Sequence, residues 1–330
     1  IVRDGLLGIK TYDVDISTTM LPEEVEKQFN NICNIGKRFG TIMIFSYPWT
    51  IEITTTRKDI NPDGRHTDVI FTNNFIEDSD RRDFTINGLY LYNDIIYDYH
   101  NGIIDLYNNK LHFIGNATLR IQEDYLRILR YIRFLIRYIQ PLGNIDIKDI
   151  YKVYIENLEY NSTIMNNING LTNVSIERIL MEVNKIVMHN NYLIGITMLN
   201  YYGISEYIFI NKLDIHPLDQ FNTLEERLSI IFNKVPKPPK QLGKGTTYLL
   251  QILNMEFNLI TLCKLWHRNK SDYYSKFLIK YHSYILQNNT YLHLLDIDWV
   301  VNFNTSIYIG QDRTISDLTV KWLFLSNLPI

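Results

Sequence analysis

Residues 11–19, TYDVDISTT, alternate apolar and polar positions at a period of two. That pattern predicts a short strand with Val14 and Ile16 on one face and Asp13 and Asp15 on the other. Residues 20–39 read as a helix, opened by Pro22 and by Glu23, Glu24 and Glu26 in the turns where the helix dipole favours acids. GTIMIFSY and TIEITTTR, within 40–57, read as two strands joined near Pro48. Residues 57–68, RKDINPDGRHTD, are poor in apolar side chains and rich in turn formers, which predicts a loop. A short strand at 69–72, a helix at 79–91 and a strand pair over 95–114 that turns at Asn101-Gly102 complete a mixed region.

Beyond about residue 116 the period changes to that of helices, predicted at 120–139, 146–158, 175–189, 190–202, 223–232, 245–269, 271–287 and 314–326. The stretch 234–245, KVPKPPKQLGKG, interrupts them as a linker, either a solvated connector or a basic loop facing RNA. The fold class is therefore α+β, a mixed head followed by an all-helical part. The expected division falls at about residue 118.

Composition narrows the function classes. The chain has 330 residues, 46% of them apolar, so it can build real cores and is not a disordered chain. No apolar run approaches the roughly 20 residues of a membrane helix, and no association with a membrane is expected. Cys33 and Cys263 are the only cysteines, which leaves no disulfide framework and no cysteine-rich zinc site. Net charge is −3, but residues 1–118 carry 11 basic and 17 acidic side chains against 22 and 19 in the remainder. An acidic front and an arginine-bearing second half suit metal-dependent chemistry on a polyanion. The 34 Asn and 24 Tyr fit the drift of an AT-rich genome rather than a prion-like tract.

Three clusters carry candidate chemistry. Asp13 and Asp15 on one strand face repel each other unless they share a cation, and carboxylates suit Mg2+. Glu52, set between two isoleucines, either completes that acidic group or is an ordinary polar-face residue. RRDFTIN, residues 81–87, is either a capped helix start with a salt bridge or a nucleotide contact through Arg82, Asp83 and Asn87. Residues 120–139, RIQEDYLRILRYIRFLIRYI, gather Ile128, Leu129, Ile132, Leu135 and Ile136 on one side and Arg127, Arg130, Arg133 and Arg137 on the other, headed by Glu123 and Asp124. Arginine forks suit phosphates and base edges. Asp124, an acceptor, three residues from Arg127, a donor, can present a template to a base edge. Tyr131 and Phe134 interrupt this face as stacking groups or as helix–helix contacts.

Taken in order, these segments resemble the class II tRNA nucleotidyltransferases, the CCA-adding enzymes, in the wider family that includes bacterial poly(A) polymerases. IVRDGLLGIKTYDVDI is similar to the family's opening motif, RRDFTING to its second, IQEDYLRILRYIRF to the base-selecting motif, and SIERILME to a later helix-turn motif with Ser175 as N-cap. DGRHTDVIFT followed by IQEDYLRILR most resembles the alphaproteobacterial and mitochondrial branch. The resemblance implies a palm-like nucleotidyltransferase head (1–118), a base-recognising neck (119–190) and a tRNA-binding body (191–330). It implies that Asp13 and Asp15 hold Mg2+, with Glu52 as the third catalytic acid. Nucleotide contacts would come from Arg3, Asp4, Arg82, Asp83, Asn87, Asp124, Arg127 and Arg130, and RNA contacts from Arg133 and Arg137. Glu177 and Arg178 would brace the neck, and the 57–68 loop would be the element that switches CTP for ATP. The implied partners are a tRNA 3′ end, CTP and ATP. The implied activity is CCA addition with release of pyrophosphate by a two-magnesium mechanism; poly(A) polymerisation, partial CC or A addition, and tRNA binding without catalysis are the alternatives. The family's first two glycines and its tail are not found, and truncation is the expected reason. The expected setting is the bacterial cytoplasm, with a mitochondrial one as the alternative; a monomer is the preferred oligomeric state.

Overall fold

A computed structural model describes residues 1–232 apart from 12, 30, 61–67, 139–148, 157, 214, 216, 217, 219 and 220, together with 239–242 and 246. The chain divides into two compact units, Ile1–Lys212 and Leu213–Ile330.

The first unit opens with a one-turn helix, α1 (Val2–Leu6), and strand β1 (Asp13–Thr18). A short helix α2 (Pro22–Glu26) leads to β2 (Ile32–Cys33), β3 (Thr41–Ser46) and β4 (Trp49–Thr55). These strands form one mixed sheet in the order β1-β4-β3-β2, with β1 parallel to β4 and the other pairs antiparallel. Val25, Ile42, Ile44 and Ile53 make the core against one face, with Ile32 and Ile51 packed beside them. The helix expected over 20–39 thus stops after five residues. Asparagine favours turns over helix interiors, and the carboxylate of Glu26 takes the side chains of Asn34 and Lys37 while the chain folds back to pair Ile32 with Ile44.

The expected 57–68 loop begins instead as a strand, because β5 (Arg57–Ile60) pairs antiparallel with β6 (Asp68–Phe71); residues 61–67 lie outside the described residues. The helix expected over 79–91 is three things: the end of α3 (Phe75–Asp80), a 3-10 turn at Thr85–Asn87 and strand β7 (Leu89–Tyr92). α3 stops at Asp80 with Arg81 as its C-cap, and past it Asp83 accepts the backbone N–H of Phe84 at 2.9 Å. β7 pairs with β8 (Ile95–Asp98) through Asn93 and Asp94, both at positive φ (48° and 61°). The hairpin turn is therefore there and not at Asn101-Gly102. That dipeptide starts α4 (Gly102–Tyr107), whose first amides at Gly102 and Ile103 are taken by the Asp98 carboxylate at 2.9 Å each.

The predicted arginine helix is two helices, α5 (Ala117–Glu123) and α6 (Leu126–Tyr138). Asp124 leaves the helical region (φ −153°, ψ 103°) and accepts the Leu126 amide at 3.2 Å, as an N-cap does. The Tyr125 ring lies so close to Gly170 that a Cβ there would come within 2.0 Å of it, so glycine alone fits beside the break. A π-helical turn (Tyr151–Ile155) and α7 (Asn161–Asn167) precede α8 (Ile176–Val187), α9 (Tyr192–Tyr201) and α10 (Ile204–Phe209). Ser175 occupies the N-cap position of α8, yet its side chain makes no capping bond. Ile128 and Ile132 of α6, Val183 and Ile186 of α8, and Ile194 of α9 are fully buried in the helical core. Phe84 and Phe113 from the mixed region join it through Tyr131, Phe134 and Tyr160; the Phe113 and Tyr131 rings stack with centroids 5.8 Å apart. Tyr131 and Phe134 are thus packing groups.

In the second unit α11 (Leu224–Ile231) starts at a capping box in which Thr223 and Glu226 each bind the other's backbone amide. The expected helices at 245–269, 271–287 and 314–326, and most of the 234–245 linker, lie outside the described residues. Among the described residues no helix is long and apolar enough to cross a membrane.

Candidate nucleotide site

The sheet register sets the acidic positions. Asp13 is opposite Thr50, Asp15 opposite Glu52 and Ser17 opposite Thr54, and β3 extends these rows with Phe45, Met43 and Thr41. Alternation along a strand puts positions 13, 15 and 17 on one face, the one away from the isoleucine core. On that open face a carboxylate keeps its hydration; Asp15 is exposed and Glu52 half-buried. The side chain of Asp13 lies outside the described residues. Among the described residues no three His, Cys, Asp or Glu side chains are grouped as a metal site.

Arg82 reaches this face. Its Nη2 donates to Ser17 Oγ and to Asp78 Oδ2, both at 3.2 Å, its Nη1 donates to the Asn87 carbonyl at 3.1 Å, and its guanidinium lies over the Tyr90 ring. Asp78, which the sequence reading did not single out, is buried and also receives Arg81 (2.7 Å and 2.9 Å), the Tyr90 hydroxyl (2.7 Å) and the Arg57 amide (3.2 Å). Burial pushes its carboxyl up, but Arg81 and Arg82 outweigh that and hold it below the usual range. Its spacing of three and four residues from two arginines on a helix end was the available signal.

Asp83 is the centre of a second network. Its Oδ2 accepts Arg130 Nε at 2.7 Å, and its Oδ1 accepts Asn87 Nδ2 at 2.8 Å and the Phe84 amide. Burial opposes its charge, yet Arg130, Asn87 and Arg127 bring the pKa down to about 2. Arg3 donates to Asn87 Oδ1 and to Asp4, and Asp4 also pairs with Arg137 at 3.1 Å. Asp4 is buried, which raises its pKa, but the bond to Arg3 and the charges of Arg3 and Arg137 leave it lowered. Arg133 pairs with buried Glu182 of α8 at 2.5 Å. Asp83, Arg130, Arg133 and Arg137 therefore hold segments together.

Asp124, Arg127 and Arg130 line a cavity of about 880 Å³ with Asp83, Arg120, Glu123 and Arg178, and with Arg38, Arg57 and Lys58 from the mixed region. Asp124 Oδ2 accepts Arg178 Nη2 at 2.9 Å. Arg127 is fixed by Glu123 (2.6 Å), the Arg120 carbonyl (2.7 Å) and the Arg81 carbonyl (2.9 Å). Three of its five donors are thereby used, leaving Nε–H and one Nη2–H. Asp124 retains acceptor capacity beside its two partners. A rigid donor next to an acceptor in a charged cavity is suited to the edge of a base. The neighbours Arg81 and Arg82 link the two halves, one through its carbonyl to Arg127, the other through its guanidinium to β1.

A mixed sheet with acids on its open face, followed by a mostly helical region, is the architecture of a nucleotidyltransferase fold. Residues 1–112 match the Poly A polymerase head domain and residues 159–213 the Probable RNA and SrmB- binding site of polymerase A. The mitochondrial CCA tRNA nucleotidyltransferase 1 of Homo sapiens is 42% identical over 201 residues, 58% of this chain and 44% of that protein. The CCA-adding enzyme of Staphylococcus aureus (strain MRSA252) is 31% identical over 278 residues, covering 79% of this chain and 65% of the enzyme. Among solved structures, the Bacillus stearothermophilus CCA-adding enzyme in complex with CTP superposes at a TM-score of 0.56 and 24% identity, over 76% of this chain and 60% of that one. Over these matched regions the chain is similar to the CCA-adding tRNA nucleotidyltransferases. It spans about half to two thirds of the length of these curated relatives.

Proposed function

We propose that this protein adds CMP, CMP and AMP in turn to the 3′ end of tRNA, from CTP and ATP, with release of pyrophosphate. The observation that carries the reading is the pairing of Asp15 with Glu52 on an open sheet face that Arg82 also touches, one residue from the segment that fixes Arg127. Oxygen donors in adjacent rows fit a hard divalent cation, so Asp13, Asp15 and Glu52 are the residues that would hold Mg2+. Two such ions held there would supply the charge that lowers the pKa of the terminal ribose hydroxyl and stabilises the departing pyrophosphate. In this reading Arg82, held by Asp78 and Ser17, presents charge to the phosphates; Asp124 and Arg127 read the base; and Asp83, Asn87, Arg3 and Arg130 keep them in place. Arg133 and Arg137 would act on RNA through the helix they brace. The 42% identity to a mitochondrial enzyme supports the alphaproteobacterial and mitochondrial branch. The test is incubation of a tRNA transcript lacking CCA with each nucleotide, followed by sequencing of the 3′ end. Ordered C, C, A is expected; a run of A, an arrested CC, or binding without extension would each replace this reading with the corresponding alternative.

Base choice makes a sharper check. Asp124→Asn keeps a residue able to cap α6 but exchanges an acceptor for a donor at the cavity. Discrimination of CTP and ATP against UTP and GTP is expected to fall by roughly tenfold to a hundredfold, measured as misincorporation at each position. Unchanged discrimination would remove Asp124 from the template.

A further inference from the structure

The open face of the sheet is chemically divided. Asp15 and Glu52 share a row with Met43 of β3 and Cys33 of β2, and the next row runs from position 13 through Thr50 to Phe45. One side is acidic; the other, on β3, is apolar, and Phe45 is 48% exposed there although Ile42 and Ile44 of the same strand are buried on the opposite face. β1 and β3 are separated by one strand, so the two sides are about 10 Å apart, the span of one nucleoside. We infer that Phe45, with Met43 beside it, is the platform on which the 3′-terminal base of the acceptor RNA stacks while its ribose lies over Asp15 and Glu52. This rests on the function proposed above and specifies how its acceptor is held. The incoming base has a different place, the Asp124 and Arg127 cavity, whose lining does not include Phe45. An aromatic face accepts any base without a hydrogen-bond code, which suits an acceptor end that changes identity as it grows.

The experiment uses a tRNA in which 2-aminopurine replaces the second C as its last base, without nucleotide substrate. Binding to the unaltered protein should quench the fluorescent base by stacking. Phe45→Ala should abolish the quench and Phe45→Tyr retain it. Phe45 faces away from the isoleucine core, so the alanine variant keeps that packing. In steady state Phe45→Ala should raise KM for the acceptor RNA about tenfold and leave KM for ATP unchanged. Equal quenching in Phe45→Ala, no quenching in the unaltered protein, or a rise in KM for ATP alone would each overturn the inference. The fluorescence readout needs no turnover: an inactive protein that still quenches through Phe45 would refute the proposed activity and leave the platform standing.

Discussion

Asp15→Ala is expected to lower nucleotide incorporation by roughly a thousandfold or more while leaving the fold and tRNA affinity close to those of the unaltered protein. Asp15 is exposed on the sheet face opposite Ile42, Ile44 and Ile53, so its removal opens no cavity. Its register partner Glu52 stays in place on β4. Removing one of two adjacent carboxylates relieves repulsion, and stability should hold or rise slightly. The combination of lost incorporation, intact circular dichroism and unchanged RNA binding in a mobility-shift assay is diagnostic. A variant that loses activity and melts early would point to a structural role, and one that keeps turnover would contradict the metal assignment. Asp13→Ala is expected to behave alike.

The second large effect is on stability. Asp83→Ala removes the partner of Arg130 Nε and of Asn87 Nδ2 at once. Breaking a buried ion pair and stranding its donors costs about 3 kcal/mol, which should appear as a lower urea midpoint with an unchanged slope. The same carboxylate makes the protein sensitive to acid. Its pKa is about 2 in the fold against an ordinary value of 3.8, so the charged form favours folding. That contribution, about 2 kcal/mol, is fully present above pH 4 and disappears as pH falls from 4 towards 2. Asp4 and Asp78 are shifted in the same direction and add to it. Urea titrations between pH 5 and 2 should show stability falling in that window for the unaltered protein. For Asp83→Asn the fall should be shallower; an identical pH profile would refute the assignment to Asp83.

Local pattern and long-range partnership differ in how far they can be read from residue order. The strand at 13–18 and the β3–β4 pair follow from period-two alternation, since one face of each is buried against the core. The opening signature and EDYLR were enough to suggest the family. What stayed hidden has physical causes. An aspartate that caps a new helix leaves the apolar period across residues 120–139 undisturbed, so the break at Asp124 was invisible to a helical wheel. Asn101-Gly102 is a strong turn signal, but the turn formed at Asn93-Asp94, which adopts the same positive φ, because Asp98 claims the amides at 102 and 103. The arginines of α6 read as a stripe offered to phosphates and base edges. The partners of Arg130, Arg133 and Arg137, which are Asp83, Glu182 and Asp4, lie far away in sequence, and only the fold brings them together.

That last feature changes how the basic side chains of α6 should be counted against a polyanion. A cation that displaces ions condensed on a nucleic acid must have its charge to spare. Arg127, Arg130, Arg133 and Arg137 each already face a carboxylate inside the first unit, with Glu123 shared between Arg127 and Arg120 and Asp4 between Arg137 and Arg3. Four arginines in a row therefore do not amount to four displaced counterions, and added salt should weaken RNA binding less steeply than four unpaired arginines would make it.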